Sequence, residues 1–356
     1  DMGGTSTDVS LINTSPAISK ESIIGGYPIG IPVLDIHTIG AGGGSIAYED
    51  QGGALRVGPQ SAGAYPGPAC YGDGDLPTVT DANLVLGRLV PDFFLGGSMR
   101  LDVDRAWRSI EQLAMKLGMN TTQCAQGIIT VTNAHMEHAL RVISVERGFD
   151  PRDFTLFSFG GAGGLHAAEL ARSMRIPHIL VSPYASVLSA FGMLVADIVL
   201  DYVQTVMFTD TIPIQHILAS FAPLIQQGEN DLLSQGIDQH NATIQLYIDA
   251  RYQGQSYELT IPFSNQWIAE FHRAHQSAYG YASPTANIEL VNLRLKAIGR
   301  TPHPVPNRQQ TSGSSAHRAY ISNRKIIIDG STLSVPCYEY ESLESGNRIN
   351  GPAMIV

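Results

Sequence analysis

The 356-residue sequence has few cysteines, no long hydrophobic run and no cluster of basic residues, and each shortage removes a class of protein. The three cysteines, Cys70, Cys124 and Cys337, are odd in number and widely separated, without the spacing of a metal-ligand set. Reduced thiols in a cytoplasmic protein fit them better than a disulfide framework. No stretch reaches the roughly 18 to 20 consecutive apolar residues of a membrane-spanning helix. Lys and Arg number 22 against 32 Asp and Glu, a net charge of −10, and no basic run alternates with aromatics. Neither a nucleic-acid backbone nor an anionic membrane surface is therefore expected as a partner. Disorder is excluded from the other side, because 44% of the residues are hydrophobic and only 15% are charged. The opening "DMGGTSTDVSLI" has no initiator methionine and no strand leading into its glycines, and the closing "GPAMIV" reads as the start of a strand. An internal piece of a longer protein is the expectation.

What the chain has in quantity is glycine, 36 residues, which signals tight turns and close backbone approaches. Up to about residue 75, glycine clusters separate the short strand candidates "VSLI", "PVLDIHTI", "SIAYED" and "ALRVGP". From Asp81 the pattern turns helical. Asp81 suits a cap for "DANLVLGRL", and "DVDRAWRSIEQLAMKLG" puts Val103, Trp107, Ile110, Leu113 and Leu117 on one face with Gly118 as the stop. A longer helix is expected from Thr122 to Arg147. Strand, helix and strand follow in "DFTLFSFGGAG", "LHAAELARSM" and "HILVSP", then a further helix in "SVLSAFGMLVADI". Beyond Asp201 we expect strands at "DYVQTVMF", in the pair "TIQLYIDARYQGQSYELTIPF" and at "IELVNLRLKAIG", with helices over 214–235 and 266–279. Residues 301–318 read as a linker or exposed loop, and 319–356 as short strands turning at Asp329-Gly330.

Two glycine-rich stretches carry the chemistry. In "DMGGTSTD" the backbone N–H groups of Gly3, Gly4, Thr5 and Ser6 can form an anion-binding concavity, flanked by Asp1 and Asp8. Carboxylates repel a bare phosphate, so their presence makes sense with a divalent cation between them. A glycine hairpin whose Asp and Thr satisfy their own backbone accounts for the same residues equally well. In "FSFGGAGGLHAAELA" the order strand, glycines, helix puts a helix N-terminus at a nucleotide-sized gap. The glycines at 160, 161, 163 and 164 do not fit G-x-G-x-x-G, and no P-loop lysine follows. Other features are weaker. His135 and His138 share a helix face that could take a metal, but a solvated or packed face explains them better. Cys70 in "GPAC" has no base beside it, which favours a packed turn over a reactive thiol. Tyr247, Tyr252 and Tyr257 are expected to pack a sheet.

Together with "DIHTIGAGGGSIA", "GPQSAGAYPGPACYGDG" leading to "TVTDANLVLGRL", "SVERGFDPRDFTLFSFGGAGGLHAAELA", "VLSAFGMLVAD" and "ARYQGQSYELTIP", these stretches resemble the hydantoinase/oxoprolinase family, the ATP-using A-type subunits. The resemblance covers nearly the whole chain. It implies an α/β fold in which 1–200 form a ribonuclease-H-like lobe of the sugar kinase, heat-shock ATPase and actin superfamily, with glycine-rich insertions. An α+β domain over 201–300, the linker over 301–318 and a truncated β-rich segment over 319–356 would follow. An earlier N-terminal lobe would be missing.

By the same resemblance Gly3, Gly4, Thr5, Ser6 and Thr7 grip the phosphates of ATP, and Asp1 orients Mg²⁺. Asp8 is a weaker candidate for a metal or polar-network role. Gly160, Gly161, Ala162 and Gly163 form an adenosine shelf. His37, with Gly40, Gly42, Gly43, Gly44 and Ser45, lies near the cleft, His37 being either a catalytic base or a strand-end histidine bonded for structure. The chain departs from the family pattern at Gly164, where proline is usual, and at "SPYAS", which replaces a Pro-Ala-Pro-Gly turn. The implied activity is ATP-dependent opening of a cyclic amide such as 5-oxoproline or a hydantoin, by phosphorylating the amide oxygen, with a B-type subunit or domain as partner. A subunit of an ATP-dependent ketone carboxylase, or a non-catalytic nucleotide switch, would use the same cleft. With one lobe absent, the chain by itself is expected to be inactive.

Overall fold

The computed structural model describes residues 1–13, 15–19, 22–24, 27–29, 33–303, 311 and 313–356. Its contacts separate into two compact units, residues 1–190 with 307–356, and residues 191–306.

The first unit opens with a tight hairpin. Asp1 and Asp8 exchange both backbone hydrogen bonds at 2.8 Å, and the Gly3 N–H donates to Ser6 O at 3.0 Å, which leaves Gly4 and Thr5 at the tip. Strand β1 (Thr7–Val9) then pairs antiparallel with β2 (His37–Ile39). The strand expected at "VSLI" therefore begins two residues early and ends at Val9, after which Ile12–Asn13 pairs with Ser15–Pro16 in a short ribbon. "PVLDIHTI" resolves into Val33–Leu34 and β2, with Pro32 outside the described residues. β3 (Ser45–Glu49) and β4 (Leu55–Ser61) form a second antiparallel pair.

Helix α1 (Val79–Val85) starts earlier than Asp81 suggests. Thr78 is its N-cap, extended in backbone, and Asp81 is the third residue of a capping box. The hydroxyl one turn back can accept from the Asp81 amide, whereas the Asp81 carboxylate turns inward. That carboxylate is fully buried and accepts from the N–H groups of Ala69, Cys70 and Thr78 and from the Thr78 hydroxyl, at 2.7 to 3.1 Å. Helix α2 (Val103–Lys116), capped by Asp102, buries Ala106, Ile110, Leu113 and Ala114. Val103 and Trp107 of the expected face are exposed, because the two alanines let the helix settle closer to its neighbours on an adjacent stripe. Helix α3 (Thr121–Ile143) has an Asn120–Gln123 capping box and stops short of Arg147, where a single 3₁₀ turn, Val145–Arg147, closes on left-handed Gly148. The core is the meeting of these three helices around Ile110, Ile128, Ile129 and Met136.

Parallel strands β5 (Thr155–Ser158) and β6 (His178–Val181) flank helix α4 (Gly163–Met174), whose Ala167, Leu170, Ala171 and Met174 are buried. A helix over Leu188–Val195 carries the chain to the second unit. The first unit is completed from the far end of the sequence by a hairpin over 320–338.

The second unit is a four-stranded antiparallel sheet: β7 (Ile198–Thr209), β8 (Ala242–Tyr252), β9 (Leu259–Pro262) and β10 (Ile288–Gly299), in the order β7-β10-β8-β9. Helices α5 (Ile214–Ser234) and α6 (Trp267–Tyr279) pack Ile217, Phe221 and Phe271 against Ile248, Leu293 and Leu295. Of the three tyrosines assigned to sheet packing, Tyr252 is buried, but Tyr257 lies 76% exposed in the β8–β9 connection, beyond the end of the strand.

Of the expected linker, residues 304–310 and 312 lie outside the described residues, and His317–Ala319 form a 3₁₀ turn. β11 (Tyr320–Ile328) and β12 (Ser331–Tyr338) pair through Asp329 and Gly330, both at positive φ (49° and 75°), the geometry of a type I′ hairpin turn. The N–H of Ile327 donates to Leu86 O at 2.9 Å, which fastens this hairpin to the end of α1.

Candidate functional site

The hairpin tip rests on a second glycine turn. N–H groups of Gly43 and Gly44 donate to the carbonyls of Gly3 and Gly4 at 3.0 and 2.6 Å, and both the N–H and the hydroxyl of Thr80 on α1 donate to Gly43 O at 2.8 Å. A Cβ on Gly42 would stand 2.6 Å from Thr5 N, so the approach needs a residue without one. The turn of Gly42, Gly43 and Gly44 is buried, with the amides of Gly43 and Gly44 consumed as the backing of the hairpin, and Gly40 beside it meets Pro59. Thr7 likewise turns inward, its hydroxyl donating to Ala41 O at 2.5 Å. The Gly3 amide is spent within the hairpin. What remains is a set of three, the amides of Gly4, Thr5 and Ser6, which carry no hydrogen bond among the described residues.

The turn after β5 meets this hairpin directly. Met2 donates to Phe159 O at 3.0 Å and accepts from the Ala162 N–H at 2.9 Å. Gly160 is at φ +87°, and a Cβ there would strike the Asp1 carboxylate and the backbone of Met2. Helix α4 begins at Gly163 with Ala162 as N-cap and no side chain to accept its first amides. The amides of Gly161, Gly163 and Gly164 carry no bond among the described residues. Two sets of free backbone donors thus stand on segments joined through Met2, one of them at a helix N-terminus, where the helix dipole also favours negative charge.

The charges follow from the pairing. Asp1 faces Asp8 across the hairpin and Asp8 faces Thr38 across β1–β2, so the three side chains form a row on one face. The Thr38 hydroxyl donates to Asp8 Oδ1 at 2.5 Å, and the Ser189 hydroxyl to Asp1 Oδ2 at 2.9 Å. His37 is one residue from Thr38 and therefore on the opposite face, the side on which Ile39 packs into the core. The register does not bring its ring to the carboxylates.

Sequence reasoning missed a buried polar cluster under the second turn. His166 of α4 is fully buried, with Nδ1 2.7 Å from Asn133 Oδ1 on α3 and Nε2 3.4 Å from Asn83 Nδ2 on α1. Asn133 donates in turn to Glu169, which pairs with Arg88 at 2.7 Å. Burial, with Arg88 adding to it, lowers the His166 pKa to about 4. The signal available was a histidine and an asparagine on core-facing helix positions. The folded chain binds this proton less readily than an unfolded one, so stability should be full above pH 6.5 and fall as pH drops toward 4, by roughly 3 kcal/mol. Denaturant midpoints across that range should fall less steeply in His166→Gln than in the unaltered chain.

The remaining candidates are structural. Cys70 is buried, and burial, reinforced by Asp81, raises its thiol pKa far above the ordinary value. His135 and His138 lie on the exposed face of α3, and among the described residues no three His, Cys, Asp or Glu side chains gather to hold a metal. No helix among the described residues is long and apolar enough to cross a membrane.

A family model described as Hydantoinase/oxoprolinase matches residues 1–202, and one described as Hydantoinase/oxoprolinase C-terminal domain matches residues 211–356. An uncharacterized protein of Methanocaldococcus jannaschii is 40% identical over 373 aligned residues, which take in 100% of this chain and 54% of that protein. Caprolactamase subunit alpha of Pseudomonas jessenii is 36% identical over 377 aligned residues, with the same two shares. The nucleotide-free structure of acetone carboxylase, solved in a study of ATP-dependent acetone carboxylation, matches with a TM-score of 0.91 at 27% identity, over 100% of this chain and 54% of that one. The chain thus spans about half the length of these relatives.

Proposed function

The chain belongs to the hydantoinase/oxoprolinase family, and on that premise we propose that it supplies one lobe of an ATP-binding active site that opens a cyclic amide of the 5-oxoproline or hydantoin type. One observation carries the reading: the free amides of the opening hairpin and those at the start of α4 stand on segments bonded to each other through Met2. Such a lobe is of the ribonuclease-H-like kind found in actin-like ATPases. Gly4, Thr5 and Ser6 would bind phosphate oxygens from one side and Gly163 and Gly164 from the other, with Gly160, Gly161 and Ala162 as the shelf for the nucleoside. Gly3, Thr7, Gly42, Gly43 and Gly44 hold the hairpin in shape.

A magnesium ion fits this face. Asp1 and Asp8 would offer carboxylate oxygens on one face, the donor type a hard cation takes, and each keeps an oxygen beyond the one that accepts from a hydroxyl, Ser189 on Asp1 and Thr38 on Asp8. When bound, Mg²⁺ would neutralise charge on the phosphoryl oxygens. The aligned amides act in the same sense, stabilising charge where it develops. A ring amide is a poor electrophile at neutral pH, and a phosphoryl group on its oxygen turns that oxygen into a leaving group for attack by water. Relatives described as subunits support a partner, for which a B-type subunit or domain is our assignment. Three free, buried cysteines agree with a cytoplasmic location.

The likeness to acetone carboxylase favours a second reading, a subunit of an ATP-dependent ketone carboxylase. ADP release by the full-length protein and its partner decides between them. Stimulation by a lactam or hydantoin supports ring opening, bicarbonate-dependent stimulation by a ketone supports the second reading, and tight ATP binding without turnover points to a nucleotide switch. Asp1→Asn in the same assembly should lower kcat about 100-fold or more, by analogy with the loss of one transition-state charge partner.

A further inference from the structure

Ala162, the N-cap of α4, is held by its N–H bond to Met2 O at 2.9 Å. A single bonded point does not fix the direction of a helix, and the amides of Gly163 and Gly164 point wherever that direction takes them. His166, in the first turn of α4, supplies a second point. It is fully buried, and its two ring nitrogens are held by different helices. Asn133 on α3 gives its Nδ2 to Glu169, so the atom it turns to the ring is an oxygen, and Nδ1 carries the hydrogen. Nε2 is thereby left to accept from Asn83 Nδ2 on α1, at 3.4 Å. Asn83 also donates from Nδ2 to Val79 O at 3.1 Å, while its buried Oδ1 has no partner among the described residues. Apolar side chains would fill this junction without a stranded oxygen or a histidine that burial keeps neutral. What they would lack is direction, because apolar contacts let a helix turn or slide where hydrogen bonds set its rotation and height.

Helix α1 is the common reference for both sets of free amides. Thr80 and Asn83 are three residues apart and so neighbours on one side of it. Thr80 holds Gly43 O through its N–H and its hydroxyl, and the Gly43 N–H holds Gly3 O, so this side of α1 supports the opening hairpin. Asn83 holds His166 of α4. Arg88, just beyond α1, repeats the link one turn further along α4 by pairing with Glu169 at 2.7 Å. We propose, taking the ATP reading as premise, that His166 is a positioning residue for the nucleotide's phosphates: through Asn83 and Asn133 it aims the amides of Gly163 and Gly164 at the phosphate chain gripped by Gly4, Thr5 and Ser6. The nucleoside shelf does not depend on it. Gly160 is bonded to Ala185 O at 2.8 Å and Ala162 to Met2, neither of them through His166.

The test compares ATP with adenosine binding in the full-length protein and its partner, with urea midpoints measured alongside. Asn83→Ala removes the bond to α4 and the stranded oxygen together, so the midpoint should stay close to that of the parent. ATP should bind at least tenfold more weakly, and adenosine within about twofold of the parent. His166→Gln, whose amide can still donate to Asn133 or accept from Asn83, should keep more of the ATP affinity than His166→Leu, which can do neither. Should His166→Leu fail to fold, Asn83→Ala decides alone. Equal losses of ATP and adenosine affinity, with the midpoint falling in step, make the cluster merely structural and overturn the proposal. So does a folded Asn83→Ala that binds ATP as the parent does. An unaltered protein that binds adenosine but gains nothing from the phosphates overturns the ATP reading itself, a result distinct from either.

Discussion

Gly160→Ala is expected to lower the unfolding free energy by about 3 kcal/mol or more and to abolish ATP binding in the full-length protein, while Gly161→Ala next to it changes stability by less than about 0.5 kcal/mol. The two positions differ in both respects that matter. Gly160 sits at φ +87°, where an L-residue costs roughly 1–2 kcal/mol before any contact is counted. The added methyl would also be 2.7 Å from Met2 N and closer still to the Asp1 carboxylate, so the hairpin and the second turn must part. Gly161 meets nothing within 4 Å. Urea unfolding of both variants, with nucleotide binding measured alongside, separates loss of the fold from loss of the site. If Gly160→Ala still bound ATP normally, the junction at Met2 would not be what assembles the site.

The second large effect is expected at Asp81. Its buried carboxylate is the common acceptor for three backbone amides and a hydroxyl, none of which has water to fall back on. Asp81→Ala should cost about 3 to 5 kcal/mol, the range for leaving a buried polar cluster without its charged centre. It should also release Cys70. Burial first, and then the negative charge of Asp81, keep that thiol protonated, so its reaction with a disulfide reagent should go from undetectable in the native chain to rapid in the variant. A variant that unfolds no more easily than the parent would show that the loop carrying Cys70 is held by other contacts.

Much of the architecture was legible because it is written locally. Asp329-Gly330 demands a primed turn, and the glycines after "FTLFSF" mark the passage from β5 into α4. The misreadings have one physical cause, a choice among equally good local options that distant parts of the chain decide. Thr78 and Asp81 can each cap a helix, and the choice fell to Thr78 because the Asp81 carboxylate was claimed by the Ala69–Cys70 loop. The buried stripe of α2 shifted from Val103 and Trp107 to Ala106 and Ala114 because close helix packing favours the small side chains.

At the site, the residue types were visible but the direction of their donors was not. The amides of Gly43 and Gly44 and the hydroxyl of Thr7 point at carbonyls of the protein itself, a fact fixed by contacts far apart in sequence. His37 lies opposite the carboxylates only because of the β1–β2 register, and His166 on α4 gathers its partners from two other helices, α1 and α3.

The bond from Ile327 to Leu86 has a consequence for biosynthesis. A ribosome adding about 5 to 20 residues per second needs on the order of 10 to 50 s to travel from one to the other, and the intervening stretch includes an entire separate unit. Throughout that interval the end of α1 waits for its final strand pair. A nascent chain of this protein therefore has its late unit able to mature before its early one.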